Sequence, residues 1–172
     1  LFRSSKGMAQ KVQFITTILH QPALLIFDEP FSGFDPVNAE LLKNEILSLK
    51  EKGATIIFST HNMASVEELC DNISLIDHSK IVLQGNVAEI RSSNATGTFR
   101  VVSKSNLVEK NFGIVSCRET HNAFEYVLKT EENDLNNALL AKVMEQSEIR
   151  VFEEVLPTMN DIFIKTVTSN KK

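Results

Sequence analysis

The segment Leu24-Leu25-Ile26-Phe27-Asp28-Glu29-Pro30 constrains this chain more than any other. With Ala23 in front it is a continuous apolar run, too short for a helix, that stops abruptly at two acids and a proline. Such a run is expected as a central strand of a parallel sheet, covered on both faces. Its surroundings agree. Upstream, Met8, Val12, Ile15 and Leu19 recur at helical spacing until Pro22 ends the pattern. Downstream, Asp35 supplies an N-cap and Pro36 the first helical position of a helix carrying Val37, Leu41, Leu42, Ile46 and Leu49 before Gly53. Thr55-Ile56-Ile57-Phe58-Ser59 is a second buried strand, and Asn62 caps a short helix with Val66 and Leu69. Strand, helix, strand, helix implies parallel strands joined by crossovers.

Two further strands, Ile73 to Asp77 and Lys80 to Gln84, are separated only by His78 and Ser79 and are expected as a hairpin at the sheet edge. Gly85-Asn86 opens a short helix to about Arg91, and the small polar stretch from Ser92 to Gly97 reads as a linker. Beyond it the expected order is strand 98–103, helix 106–112, strand 114–119, strand 124–130, helix 133–146 and strand 148–154. That is the split βαβ order of ferredoxin-like domains. The second of these helices carries Leu135, Leu139, Leu140 and Val143 on one face, and a last helix runs from Pro157 through Val167 before a tail, Ser169 to Lys172, expected to be disordered. The fold class is α/β followed by a small α+β domain, with domains at 1–94 and 95–172.

At 172 residues and 42% hydrophobic, the chain can bury a core and hold two small domains. A formal net charge of -4, with Lys and Arg spread along the chain, leaves no electrostatic footprint for nucleic acid. Cys70 and Cys117 lack metal-ligand spacing, which fits a reducing, cytoplasmic setting better than a disulfide framework. No apolar run reaches the roughly 20 residues that span a bilayer, so direct membrane insertion is not expected. Leu1-Phe2-Arg3 has no signal-peptide layout, and Met8, the first methionine, lies inside a motif discussed below; the chain is expected to be a fragment.

Two adjacent carboxylates at the C-terminal end of a buried strand lie where ligands bind in open α/β sheets. Without a cation they repel one another; with Mg²⁺, Asp28 can hold the ion and Glu29 can polarise a water. Asp28-Glu29-Pro30 with its apolar lead resembles the Walker B motif of ABC ATPases. Ser32-Gly33-Phe34-Asp35-Pro36 is similar to the D-loop that follows it in that family, and His61 to the switch histidine. Upstream, Ser5-Lys6-Gly7-Met8-Ala9-Gln10-Lys11 resembles the ABC signature. The four motifs stand in the family's order and spacing. The resemblance covers Ser5 to Arg91 and implies the later half of a P-loop NTPase sheet of the ABC cassette type.

The resemblance assigns Glu29 as general base, His61 as the γ-phosphate contact and Asp28 as the Mg²⁺ residue. It assigns Ser5, Lys6, Gly7 and Met8 to ATP held by a second ABC ATPase subunit, in a homodimer or heterodimer, with Ser32 and Asp35 crossing the junction. A helix start with Ser5 and Gly7 suits a phosphate, because its N–H groups are unpaired and glycine admits close approach. Lys6 and Met8 depart from the more usual glycine and glutamine, so an apolar side chain meets the nucleotide at Met8. No Gly-x-x-x-x-Gly-Lys-Ser/Thr loop occurs in the sequence, and the chain alone is expected not to hydrolyse ATP. His20, His78 and His121 read as ordinary surface or turn residues.

The C-terminal region, above all Leu156-Pro157-Thr158-Met159-Asn160-Asp161-Ile162-Phe163, resembles the accessory domain that follows the cassette in exporter-type subunits. The implied protein is an ATP-hydrolysing transporter subunit, peripheral at the inner face of the cell membrane through a transmembrane permease subunit. Two alternatives are a soluble ABC ATPase of translation or DNA repair, and an interaction module that leaves its cassette motifs unused. A truncated parallel sheet is expected to leave apolar surface uncovered.

Overall fold

Helix and strand alternate from Lys6 to Asp77 in the computed structural model, which describes residues 6–108, 112–130 and 136–169. The chain divides into two compact units, one ending at Cys70 and the other starting at Asp71. The first unit contains α1 (Lys6–Ile18), β1 (Leu24–Asp28), α2 (Pro36–Glu51), β2 (Thr55–Ser59) and α3 (Met63–Leu69). β1 and β2 pair in parallel, Leu24 opposite Thr55 through Asp28 opposite Ser59, with α2 as the crossover. Asp35 caps α2 by accepting the Asn38 N–H at 3.0 Å, Pro36 sits in its first turn, and Asn62 caps α3 by accepting from Ala64 and Ser65.

Leu25 of β1, Leu42, Ile46 and Leu49 of α2, and Val66 and Leu69 of α3 are buried, and the ring of Phe14 on α1 lies 5.4 Å from that of Phe27. Side chains alternate along a strand, so Leu25 and Phe27 share a face and Leu24 and Ile26 share the other. That second face is open: Ile26 is 69% exposed, and its register partner Ile57 is exposed too. Within this unit one face of the parallel pair is covered and the other is open. The stripe that announced α1 is also turned outward. Met8, Val12, Ile15 and Leu19 are exposed, Val12 by 58%, while Gln10, Phe14 and Thr17 face inward. The apolar stripe marks the helix, and a different side of it packs within this unit.

The second unit begins with β3 (Asn72–Asp77) and β4 (Lys80–Asn86), an antiparallel hairpin. His78 and Ser79 both have positive φ, 46° and 62°, the requirement of a two-residue turn matched to strand twist. Among the described residues the hairpin forms a two-stranded sheet of its own. α4 (Val87–Ser93), capped by Asn86, follows, and Arg91 Nε donates to the Pro157 carbonyl at 3.0 Å just ahead of α6 (Met159–Ser169). The unit that starts at Asp71 holds the hairpin and α4 together with the C-terminal elements.

β5 (Thr98–Ser103), β6 (Gly113–Thr120), β7 (Ala123–Lys129) and β8 (Ile149–Glu154) form an antiparallel sheet in the order β6-β7-β5-β8, with α5 (Asn136–Met144) between β7 and β8. This is ferredoxin-like strand order, with Phe99, Val101, Tyr126, Leu128, Leu139 and Val143 in one buried core. The expected helix over 106–112 is absent where described: residues 104–108 are irregular, and 109–111 lie outside the described residues. Specific hydrogen bonds replace it. Tyr126 Oη accepts the Leu107 N–H at 2.9 Å and donates to Asn106, Ser105 N–H donates to Ser147 Oγ at 2.9 Å, and Val108 N–H donates to Gln146 Oε1 at 2.9 Å. A loop whose amides are satisfied in this way has no need of helical bonds. Leu135 and the tail 170–172 lie outside the described residues, so the expectations for them go no further. α6 opens on a capping box in which Thr158 and Asp161 exchange hydrogen bonds, and Met159 and Ile162 are buried.

Two outcomes follow from this packing. Tyr126→Phe strands the buried Leu107 amide and is expected to cost about 1–3 kcal/mol, read as a lower urea midpoint at unchanged slope. The Asn38 N–H, and then the Asn38 side chain, hold the Asp35 carboxyl below its ordinary value. A depressed folded value stabilises when the group is ionised, so the contribution is full above the unfolded value of about 3.9 and is lost as pH falls through the folded one. Asp35→Asn keeps a cap without that titration, so the stability difference between wild type and variant should shrink between pH 6 and about pH 2.

Candidate functional site

The register that pairs β1 with β2 puts Asp28 beside Ser59 at the strand ends. Ser59 Oγ donates to Asp28 Oδ1. The next amide, Glu29 N–H, reaches both the Ser59 carbonyl at 3.2 Å and Ser59 Oγ at 3.1 Å. Glu29 itself has φ 45°, a left-handed conformation that costs a residue with a side chain about 1–3 kcal/mol. The surrounding bonds hold it there, and the turn directs its carboxylate to the loop after β2. Glu29 Oε1 accepts the His61 N–H at 3.0 Å and lies 2.7 Å from His61 Nδ1. An ionised carboxylate only accepts, so against it Nδ1 carries the hydrogen. The ring is otherwise in solvent, its side chain 86% exposed against 36% for Glu29, which leaves Nε2 accessible.

Two residues read separately from the sequence, Glu29 and His61, are thus in direct contact across 32 positions of chain. The loop between β1 and α2 is closed by Ser32 N–H to the Glu29 carbonyl at 3.0 Å and by Gly33 at φ 81°. Gln10 of α1 donates to the Ser32 carbonyl at 2.8 Å and so ties the first helix to this loop. Its Oε1 is buried without a partner among the described residues. A cavity of about 230 Å³ lined by Gln10, Phe14, Phe27, Asp28, Glu29 and Phe34 separates α1 from the end of β1.

The other expected site residues fall as follows. Ser5 and the side chain of Lys6 lie outside the described residues. Gly7 is in the first turn of α1 with open space where a Cβ would stand, and Met8 is exposed beside it. Ser32 is exposed, and Asp35 is exposed with its carboxylate engaged by Asn38. Ser59 and Gln10 were missed in the sequence as site residues. Ser59 could have been found from the strand register that sets it against Asp28. Gln10 stands inside the signature-like run Ser5 to Lys11, which was the signal available for it.

Among the described residues no three His, Cys, Asp or Glu side chains converge into a metal cage. Asp28 and Glu29 instead offer carboxylate oxygens at a strand end. That donor set fits Mg²⁺, which binds through one or two carboxylates and completes its shell with water and phosphate oxygens.

A family model described as ATP-binding protein DrrA1-3-like, C-terminal domain, matches residues 85–167, and one described as AAA domain, putative AbiEii toxin, Type IV TA system, matches residues 1–67. The uncharacterized ABC transporter ATP-binding protein YhaQ of Bacillus subtilis is 42% identical over 95% of this chain, which spans 55% of that relative's length. A fluoroquinolones export ATP-binding protein of Mycobacterium tuberculosis is 39% identical over 56% of the chain and 32% of its own length. A solved structure titled as that of an ATP binding subunit of an ABC transporter matches 53% of this chain and 38% of its own at 37% identity, with a TM-score of 0.49. With identity to YhaQ sustained through both units, the chain belongs to the family of ABC transporter ATP-binding proteins.

Proposed function

We propose that the complete subunit carrying this chain binds Mg²⁺ and ATP and hydrolyses ATP to drive export through a separate membrane permease. The observation that carries this reading is the contact of Glu29 with His61 beside Asp28 at the end of β1. In hydrolysis a water oxygen forms a bond to the terminal phosphorus, the bond to the bridging oxygen breaks, and ADP and inorganic phosphate leave. Such a reaction depends on positioning and charge stabilisation. Glu29 orients the attacking water and accepts its proton, the neighbouring Asp28 would hold Mg²⁺, which would neutralise charge on the phosphate oxygens, and His61 presents its free edge to the terminal phosphate. The exporter assignment draws on the mycobacterial relative, whose name states export.

In this reading, residues 1–94 supply signature, metal and base residues to a cassette, and 95–172 an accessory domain. Ser5, Lys6, Gly7 and Met8 complete the ATP site of a second subunit, and Ser32 and Asp35 meet the junction. The exposed face of Leu24, Ile26 and Ile57 supports a need for further polypeptide, since apolar side chains on a sheet face gain stability when covered. The 172-residue chain without a phosphate loop is inactive by itself. No described helix is long and apolar enough to cross a membrane, and attachment to the inner face is through the permease. No feature of the site favours the soluble or the interaction-module alternative.

Steady-state turnover tests the reading. In the full-length subunit with Mg²⁺, Glu29→Gln should lower kcat by roughly 10²- to 10⁴-fold with nucleotide binding retained. Undiminished turnover in that variant would remove Glu29 from the chemistry.

A further inference from the structure

We propose that Ser59 is a positioning residue that fixes the Asp28 carboxylate and the Glu29 backbone together; the inference rests on the functional reading above. Its hydroxyl has two partners at once. It donates to Asp28 Oδ1 and accepts the Glu29 N–H at 3.1 Å, while the Ser59 carbonyl accepts the same N–H at 3.2 Å. One side chain therefore links the two neighbouring acids whose carboxylates serve different roles. The hydrogen bond at Oδ1 restrains rotation of the Asp28 carboxylate and leaves its other oxygen for a ligand. The bond to the Glu29 amide stabilises the φ of 45° that turns Glu29 toward His61.

A serine that only ended a strand would not need this pattern. Strand pairing already supplies the Ser59 carbonyl to Glu29, so removing the hydroxyl leaves the backbone turn one acceptor and the fold its register. What disappears is the donor to Asp28. The loss should appear in metal-dependent binding more than in folding. Threonine retains the hydroxyl and suits a strand, and the position is exposed, so an added methyl meets no packed core.

The test is equilibrium binding of a fluorescent ATP analogue to the full-length subunit, with Mg²⁺ and with a chelator, for wild type, Ser59→Ala and Ser59→Thr. Ser59→Ala is expected to weaken binding in Mg²⁺ about tenfold, the scale of one lost hydrogen bond to a charged group, with metal-free binding unchanged. Ser59→Thr should match wild type. Wild-type affinity in Ser59→Ala, equal losses with and without metal, or failure of threonine to restore binding would each overturn the positioning role. Wild-type protein whose binding ignores Mg²⁺ would overturn the functional reading itself.

Discussion

Asp28 and Ser59 stand opposite one another because two five-residue strands pair in parallel, and every group of the site takes its position from that pairing. The strands end together, so their following loops leave side by side. One loop brings Glu29 and the other brings His61. Without the register, 32 residues would separate an acid and an imidazole that now lie 2.7 Å apart. A slip of one residue would turn Asp28 and Ser59 to opposite faces, since side-chain direction has a period of two. The crossover helix α2 protects the register by burying Leu42, Ile46 and Leu49.

The strained backbone at Glu29 belongs to the same arrangement. A left-handed glutamate next to a proline is unfavourable in isolation and persists only where neighbours determine it. Here the amide is held by Ser59, the carbonyl by Ser32 N–H and the carboxylate by His61. The loop that begins with this turn is tied back to α1 by Gln10. α1, the acid pair and the histidine loop are thereby joined through hydrogen bonds within one compact unit.

Much of this was legible in the sequence because local chemistry decided it. Asp35 with Pro36, Asn62 and Asn86 each mark a helix start that the structure realises, and Thr55 to Ser59 forms a strand with those bounds. His78 and Ser79 mark the hairpin turn. What could not be read was set by longer-range contacts. Which side of α1 packs depends on Phe14 meeting Phe27, not on the stripe of Met8, Val12, Ile15 and Leu19. The irregular course of residues 104–108 goes with Tyr126, Ser147 and Gln146 satisfying amides from distant elements. At the site, the acids and the histidine could be named one by one from their motifs. Their contact, and the part of Ser59 in it, required the register.

In the proposed function Glu29 and His61, in contact at 2.7 Å, serve one reaction on ATP and should be coupled in it. Single-turnover hydrolysis by the full-length subunit, measured for Glu29→Gln, His61→Ala and the double variant, tests it most directly. Residues that act together are non-additive. The account requires the double variant to lose about as much as the worse single variant; losses that multiply would show two independent groups and contradict it.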